Sequence, residues 1–286
     1  MNPWHREWPA PAKLNLFLHV VGRRADGYHL LQTVFRFLDY SDSLSFAPRD
    51  DGRIVLATPQ ANVPAEQDLT LRAARSLQQA TKLKQGVEIC LVKRLPMGGG
   101  LGGGSSDAAT VLMALNLLWD LRWSPSELQG LGLALGADVP IFIHGRAAFA
   151  EGIGERFVDV SLPPAWYLVL IPPVAVPTAE IFAAPDLARD TAAMPAASWQ
   201  AGMGGNDLEA VACRLYPVVA QHLDWLRQFG RARMSGSGAC VFAEFASAAA
   251  AQAAHAQLPG GMRGFVARGL ERNPLLELLA AAEASS

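Results

Sequence analysis

Pro96-Met97-Gly98-Gly99-Gly100-Leu101-Gly102-Gly103-Gly104-Ser105-Ser106 is the stretch on which the reading of this chain turns. Six of the seven residues from 98 to 104 are glycine. Glycine at this density carries a high entropic cost unless the backbone must enter positive φ or approach a ligand closely. A strand-like run, Val87–Val92, precedes the loop, and an apolar helical run from Ser105 to Trp119 follows it. Backbone N–H groups from the loop would then converge with the positive end of a helix, which makes an anion site, most naturally for phosphate. A flexible linker is the competing reading, but linkers seldom join a strand directly to a helix that opens on serines suited to capping.

Which phosphate ligand the loop serves is a second question. Gly98, Gly100 and Gly103 satisfy G-x-G-x-x-G. A dinucleotide fold also wants an acidic residue about 20 positions on, at the end of a second strand. Asp120 nearly has that spacing but closes a helix. No lysine follows the glycines, so the loop is not of the Walker A kind either.

Phosphoryl transfer needs charge stabilisation, positioning and a group to accept the alcohol proton. Asp138, in Gly136-Ala137-Asp138-Val139-Pro140, lies within the apolar stretch 131–143. A carboxylate there is costly unless paired or hydrogen-bonded, and a plain helix N-cap is the alternative. Lys13 sits on the polar face of the first strand beside Asn15 and is its natural partner; a solvated strand edge is the bland alternative.

The rest of the chain sets bounds. It has 286 residues, about half of them apolar, enough for two packed domains with a sizeable core. Lys plus Arg is 24 against 26 Asp plus Glu, a net charge of −2, which argues against nucleic acid as a partner. Cys90, Cys213 and Cys240 are odd in number and far apart, so reduced thiols in a cytoplasmic protein are expected rather than a disulfide framework or zinc site. No apolar leader follows the first residues, and the longest apolar run, 166–177, holds three prolines and is too short to span a bilayer. No membrane association is expected.

Strands are predicted at 12–21, 30–38, 43–47, 53–57, 87–92, 147–151, 156–160, 166–171 and 263–268, with a strand–loop–strand unit over 231–245. In the first strand Leu14, Leu16, Leu18 and Val20 share one face, and Lys13, Asn15, Phe17 and His19 the other. Helices are predicted at 68–80, 105–119, from Ser124-Pro125, at 178–184, 206–215, 217–229 and 247–257, and at the C-terminus. A Pro/Ala/Ser-rich segment, 185–201, reads as an exposed loop, and Pro163-Pro164 as a domain boundary dividing 1–162 from 163–286. Strands and helices mix without regular βαβ alternation, which favours α+β.

Pro-x-x-x-Gly-Leu-x-x-x-Ser-Ser resembles the phosphate-binding loop of the GHMP kinases, and Met234-Ser235-Gly236-Ser237-Gly238-Ala239-Cys240 resembles that family's C-terminal Gly/Ser motif. Pro11–Leu16, Arg24-Ala25-Asp26-Gly27-Tyr28-His29 and Gly136–Pro140 extend the resemblance, in order, to the branch acting on a cytidine diphosphate-linked methylerythritol. The resemblance implies a two-domain GHMP kinase fold, with a ribosomal protein S5 domain 2-like N-terminal domain and an α/β-plait C-terminal domain. It implies ATP with Mg²⁺, and a monomer or homodimer. Lys13 and Asp138 would be the catalytic pair, and Pro96, Met97, Gly98, Gly99, Gly100, Leu101, Gly102, Gly103, Gly104, Ser105 and Ser106 would wrap the ATP phosphates. Tyr28 and Phe182 would sandwich the cytosine and His29 would read its polar edge, with Asn15, Thr178, Asn206 and Asp207 as weaker substrate contacts. Ser106 would lie nearer the metal than Asp107, whose part is open between a helix-dipole carboxylate and a water-mediated metal contact.

Three rivals stand beside this reading: another GHMP kinase with a homoserine- or mevalonate-type acceptor, an NAD(P) oxidoreductase using Gly98–Gly103, and a non-catalytic relative. Cytidine in the acceptor pocket separates the first, nucleotide choice the second, and an intact Lys13/Asp138 pair speaks against the third.

Overall fold

The computed structural model of the chain describes residues 2–60 and 63–284. Strands β1 (Trp8–Arg23), β2 (His29–Arg49) and β3 (Ile54–Leu56) lead to helix α1 (Leu69–Thr81), strand β4 (Gly86–Val92) and helices α2 (Gly103–Leu118), α3 (Pro125–Leu133) and α4 (Val139–His144). Strands β5 (Ala148–Glu151), β6 (Arg156–Asp159) and β7 (Trp166–Leu170) precede α5 (Thr178–Ala183), α6 (Glu209–Leu215) and α7 (Pro217–Leu226). Strands β8 (Ala232–Met234) and β9 (Val241–Phe245), helix α8 (Ala248–His255), strand β10 (Gly264–Leu270) and helix α9 (Leu275–Glu283) complete the described chain. The fold is α+β, as expected.

The strands form a sheet in the order β3-β4-β2-β10-β7-β9-β8, with β1 and β5 also on β2. All pairs are antiparallel except β3 with β4. The two segments predicted at 30–38 and 43–47 are one 21-residue strand, β2. The polar stretch Asp39-Tyr40-Ser41-Asp42 holds no Gly or Pro to end it, and β1 pairs with it from Pro11 on Ser41 to Trp8 on Leu44. In β1 the predicted polar face is not solvated: Lys13, Asn15 and Phe17 are buried along with Leu14 and Leu16. Register shifts on either side of Lys13 and Asn15 interrupt strict alternation and tuck both side chains under the glycine loop.

One core packs α1, α2, α4 and α9 against β1, β2 and β4; a second gathers α5, α6 and α7 on β7, β8 and β9. Helix α2 is buried without a break from Ser106 to Leu115, as a central helix apolar all round must be. Helix α9 returns to the first core, where Leu275 and Ala282 are buried. Segment 185–201 is less free than its composition suggests. Gln32 hydrogen-bonds both Met194 N and Met194 O, Thr191 N donates to Val20 O, and Trp199 is buried on Phe17 at 6.0 Å between ring centroids.

Ser124 and Glu127 form a capping box at the start of α3. Ser124→Ala should lower stability by about 1 kcal/mol with no change in any ligand affinity, read by urea unfolding.

Candidate active site

A cavity of about 540 Å³ runs along the glycine loop between the two cores. Gly98, Gly100 and Gly102 adopt φ of 65°, 74° and 74°, which accounts for glycine at those positions. A Cβ on Gly100 would stand 2.0 Å from Ser235 O, so the loop backbone lies directly on the 234–240 turn. Ser235 Oγ donates to Gly100 O, and Cys240 N donates to Gly99 O. The two Gly-rich motifs therefore form one structure. Helix α2 begins at Gly103 rather than Ser105, and its N-cap, Gly102, offers no side-chain acceptor. The N–H groups of Gly103, Gly104 and Ser105 have no intrahelical partner and sit on the cavity wall, which is the donor set an anion needs.

Lys13 and Asp138 meet beside this cradle. Lys13 Nζ lies 3.2 Å from Asp138 Oδ2, with the lysine 2 % and the aspartate 38 % exposed. The ammonium also donates to Asn15 Oδ1 at 2.5 Å and to Gly100 O at 3.1 Å. Asp138 occupies the N-cap position of α4 but accepts no capping hydrogen bond, so the bland reading of this carboxylate is not met. Asn15 donates to Thr33 Oγ1 as well, so both ends of its amide are engaged in placing Lys13.

Beneath the loop lies a second charge cluster that the sequence reading did not anticipate. Asp42 accepts from Lys93 Nζ, Arg94 N and Leu95 N. Lys93 Nζ also donates to Asp107 Oδ2 at 2.8 Å. The cluster pins the entry of the glycine loop to the first turn of α2. Burial pushes the Asp107 carboxyl up to about 7; Lys93 opposes this and Asp42 adds to it. Burial disfavours the Lys93 ammonium, but the two carboxylates outweigh it and raise its pKa. Of the paired serines it is Ser105 that lines the cavity. Ser106, expected nearer a metal, is fully buried with its hydroxyl unpartnered and does not line the cavity.

At the far end, Phe182 and Thr178 line the cavity, and Thr178 Oγ1 meets Ser237 Oγ at 2.8 Å. Phe182 stacks on His29 at 4.8 Å between centroids and 25° between planes. Tyr28 is 60 % exposed and makes no ring contact among the described residues. Asn206 donates to Met234 O and Gly236 O, and Asp207 accepts from Val20 N and Thr191 Oγ1. Both brace the turn and strand β1 instead of facing a ligand. The opposite arm of the cavity, with Val63, Asp68, Leu69 and Thr70 at the start of α1, was missed. Its only sequence signal is Asp68, which caps α1 through Thr70 N and Leu71 N.

The family model for the GHMP kinases N terminal domain matches residues 68–146, and that for GHMP kinases C terminal matches 187–263. The chain is 62 % identical over 272 residues to a 4-diphosphocytidyl-2-C-methyl-D-erythritol kinase of Dechloromonas aromatica, covering 95 % of this chain and 99 % of the relative. It is 60 % identical to the enzyme of that name from Thiobacillus denitrificans, covering 95 % and 98 %. A crystal structure of 4-(cytidine 5'-diphospho)-2C-methyl-D-erythritol kinase superposes with a TM-score of 0.78 at 36 % identity, over 92 % of this chain and 99 % of that one. A homoserine kinase from Cytophaga hutchinsonii shares the fold, with a TM-score of 0.69 at 18 % identity over 93 % and 95 %.

Two outcomes follow from the geometry. Gly100→Ala forces a Cβ into Ser235 O at positive φ, and should lower stability by about 1–3 kcal/mol and weaken phosphate-ligand binding, read by unfolding and calorimetry. The raised Asp107 carboxyl favours the folded state below its unfolded value of 3.8, and that contribution is lost as pH rises through about 7. Asp107→Asn, which does not titrate, should therefore gain on wild type between pH 4 and 8, by on the order of 1 kcal/mol, in unfolding measured across that range.

Proposed function

The chain belongs to the GHMP kinases, and from that membership we propose that it transfers the γ-phosphoryl group of ATP to the 2-hydroxyl of 4-diphosphocytidyl-2-C-methyl-D-erythritol, giving the 2-phosphate and ADP, a step of non-mevalonate isoprenoid precursor synthesis. The observation that carries the chemistry is the buried Lys13 ammonium 3.2 Å from a half-exposed Asp138, beside a cradle of free backbone N–H groups.

In this reading the ATP phosphates lie on 98–105, and the adenine takes the arm walled by Val63, Leu69, Leu91 and Met97. The base of the acceptor stacks on Phe182, with the exposed Tyr28 free to cover it. Its 2-hydroxyl lies against Asp138. The acceptor is a tertiary alcohol, a crowded nucleophile, so positioning matters more than raw basicity. Asp138 takes the hydroxyl proton as the oxygen attacks the γ-phosphorus. Lys13, fixed by Asn15 and Gly100 O, faces the transferring group and offsets its charge without reorganising. Ser105 Oγ, an oxygen donor on the cavity wall, suits a hard cation such as Mg²⁺ and would hold it alongside phosphate oxygens and water. When bound it supplies further charge neutralisation on the phosphates. Residues 1–162 and 163–286 are read as the two lobes that bracket the site, with helix α9 of the second packed back on the first, and the enzyme works in the cytoplasm as a monomer or homodimer. Among the described residues no helix is long and apolar enough to cross a membrane.

Purified protein with ATP, Mg²⁺ and the cytidylated methylerythritol should release ADP. Asp138→Asn should lower kcat by roughly 10²–10⁴-fold with the KM for ATP nearly unchanged. Phe182→Ala should raise the acceptor KM instead. Absence of turnover in the folded parent would overturn the assignment.

A further inference from the structure

Arg189 lies in segment 185–201, outside every motif and outside the cavity wall. Its guanidinium nevertheless makes four hydrogen bonds beside the acceptor end. Nη1 donates to Leu187 O, and Nη2 donates to Phe182 O and Ala184 O, the carbonyls at and just beyond the end of α5. Nε donates to His29 Nε2 at 3.2 Å. One planar fork thus holds the stacked pair, gripping Phe182 by its backbone and His29 by its ring.

The chemistry of that last bond is one-way. An arginine nitrogen can only donate, so His29 Nε2 must accept. The imidazole is then neutral and carries its proton on Nδ1. Burial lowers the pKa of His29, and the charges of Arg189 and Arg23 lower it further, in keeping with a neutral ring. The one side-chain hydrogen bond of the His29 ring among the described residues is that with Arg189 through Nε2, which leaves Nδ1–H to a ligand or solvent. His29 stacks on one face of Phe182, and Phe182 lines the cavity; a base bound there with its edge at Nδ1 would meet a fixed donor at that atom. Cytosine offers an acceptor at N3, whereas uracil offers a donor there.

Resting on the reading of the acceptor as a cytidine compound, we propose that Arg189 is a positioning residue that locks His29 in its Nδ1–H form and thereby makes the site select cytosine over uracil. Arg189 touches no reacting atom; it acts through His29 and Phe182. Thr191 N on Val20 O and Thr191 Oγ1 on Asp207 anchor the segment that carries it. This gives the Pro/Ala/Ser-rich stretch a task in recognition.

The test begins on unmodified enzyme, with ¹⁵N spectra of the imidazoles and the His29 signals assigned by His29→Gln. The Nδ1–H tautomer is expected; a predominant Nε2–H tautomer or imidazolium at pH 7.5 would overturn the proposal. In Arg189→Met, the ratio of kcat/KM for the cytidylated over the uridylated acceptor should fall by roughly tenfold or more. The acceptor KM should rise and the KM for ATP should stay put. An unchanged base preference in a folded Arg189→Met would equally overturn it. Should the parent turn over neither acceptor, the kinase assignment fails by itself. The imidazole spectra, with binding of CMP against UMP to parent and variant, then still decide the inference.

Discussion

A single buried ammonium organises the site. Lys13 leaves strand β1 at a register shift, its backbone N–H donates to Leu101 O, and its side chain donates to Gly100 O and Asn15 Oδ1 and pairs with Asp138. One residue thus joins the first strand, the glycine loop and the start of α4. A charge at 2 % exposure persists only because oxygens surround it. Those oxygens are placed by packing: Asn15 is held by Thr33, and Gly100 by Ser235. The loop cannot drift from the Lys13–Asp138 pair without leaving the ammonium unsatisfied.

The same logic recurs on either side. Under the loop, Lys93 between Asp42 and Asp107 ties the end of β4 to the first turn of α2. Asp42 adds the Arg94 and Leu95 amides, so the loop is pinned at both its entry and its exit. At the Phe182 end of the cavity, Arg189 does the corresponding work for His29 and Phe182. In each place a buried or half-buried charge is satisfied by groups from distant segments, and the backbone or ring beside the cavity is fixed as a by-product. Rigid donors aimed in advance are what phosphoryl transfer requires of a protein, since the reaction asks little covalent chemistry of it.

Much was legible beforehand. The glycine loop announced itself by composition, and the α+β class by irregular alternation of elements. Ser124-Pro125 marked a helix start that the capping box confirms. The Lys13–Asp138 ion pair was inferred from two isolated segments because a charge in an apolar run needs a partner. The errors share one cause. Period-2 reading gave β1 a polar face that is in fact buried through Lys13, Asn15 and Phe17, and split β2 at Asp39–Asp42, because it cannot see what will be laid on top. Segment 185–201 read as free, since the Gln32 side chain that mimics a paired strand for Met194 is remote in sequence.

By itself the sequence determined the local chemistry: where the backbone must take positive φ, which helix would open toward an anion, which two charges wanted each other, and which family the motifs belong to. These depend on residue type and short-range spacing, which the chain displays directly. Only the tertiary structure decided that the loop lies on the 234–240 turn, that Ser105 rather than Ser106 faces the cavity, and that His29 meets Phe182 and Arg189. It also decided that Asp42, Lys93 and Asp107 share one buried site. Each is a contact between residues far apart in the chain. What brings them together is burial of the apolar faces around them, and no local pattern encodes that.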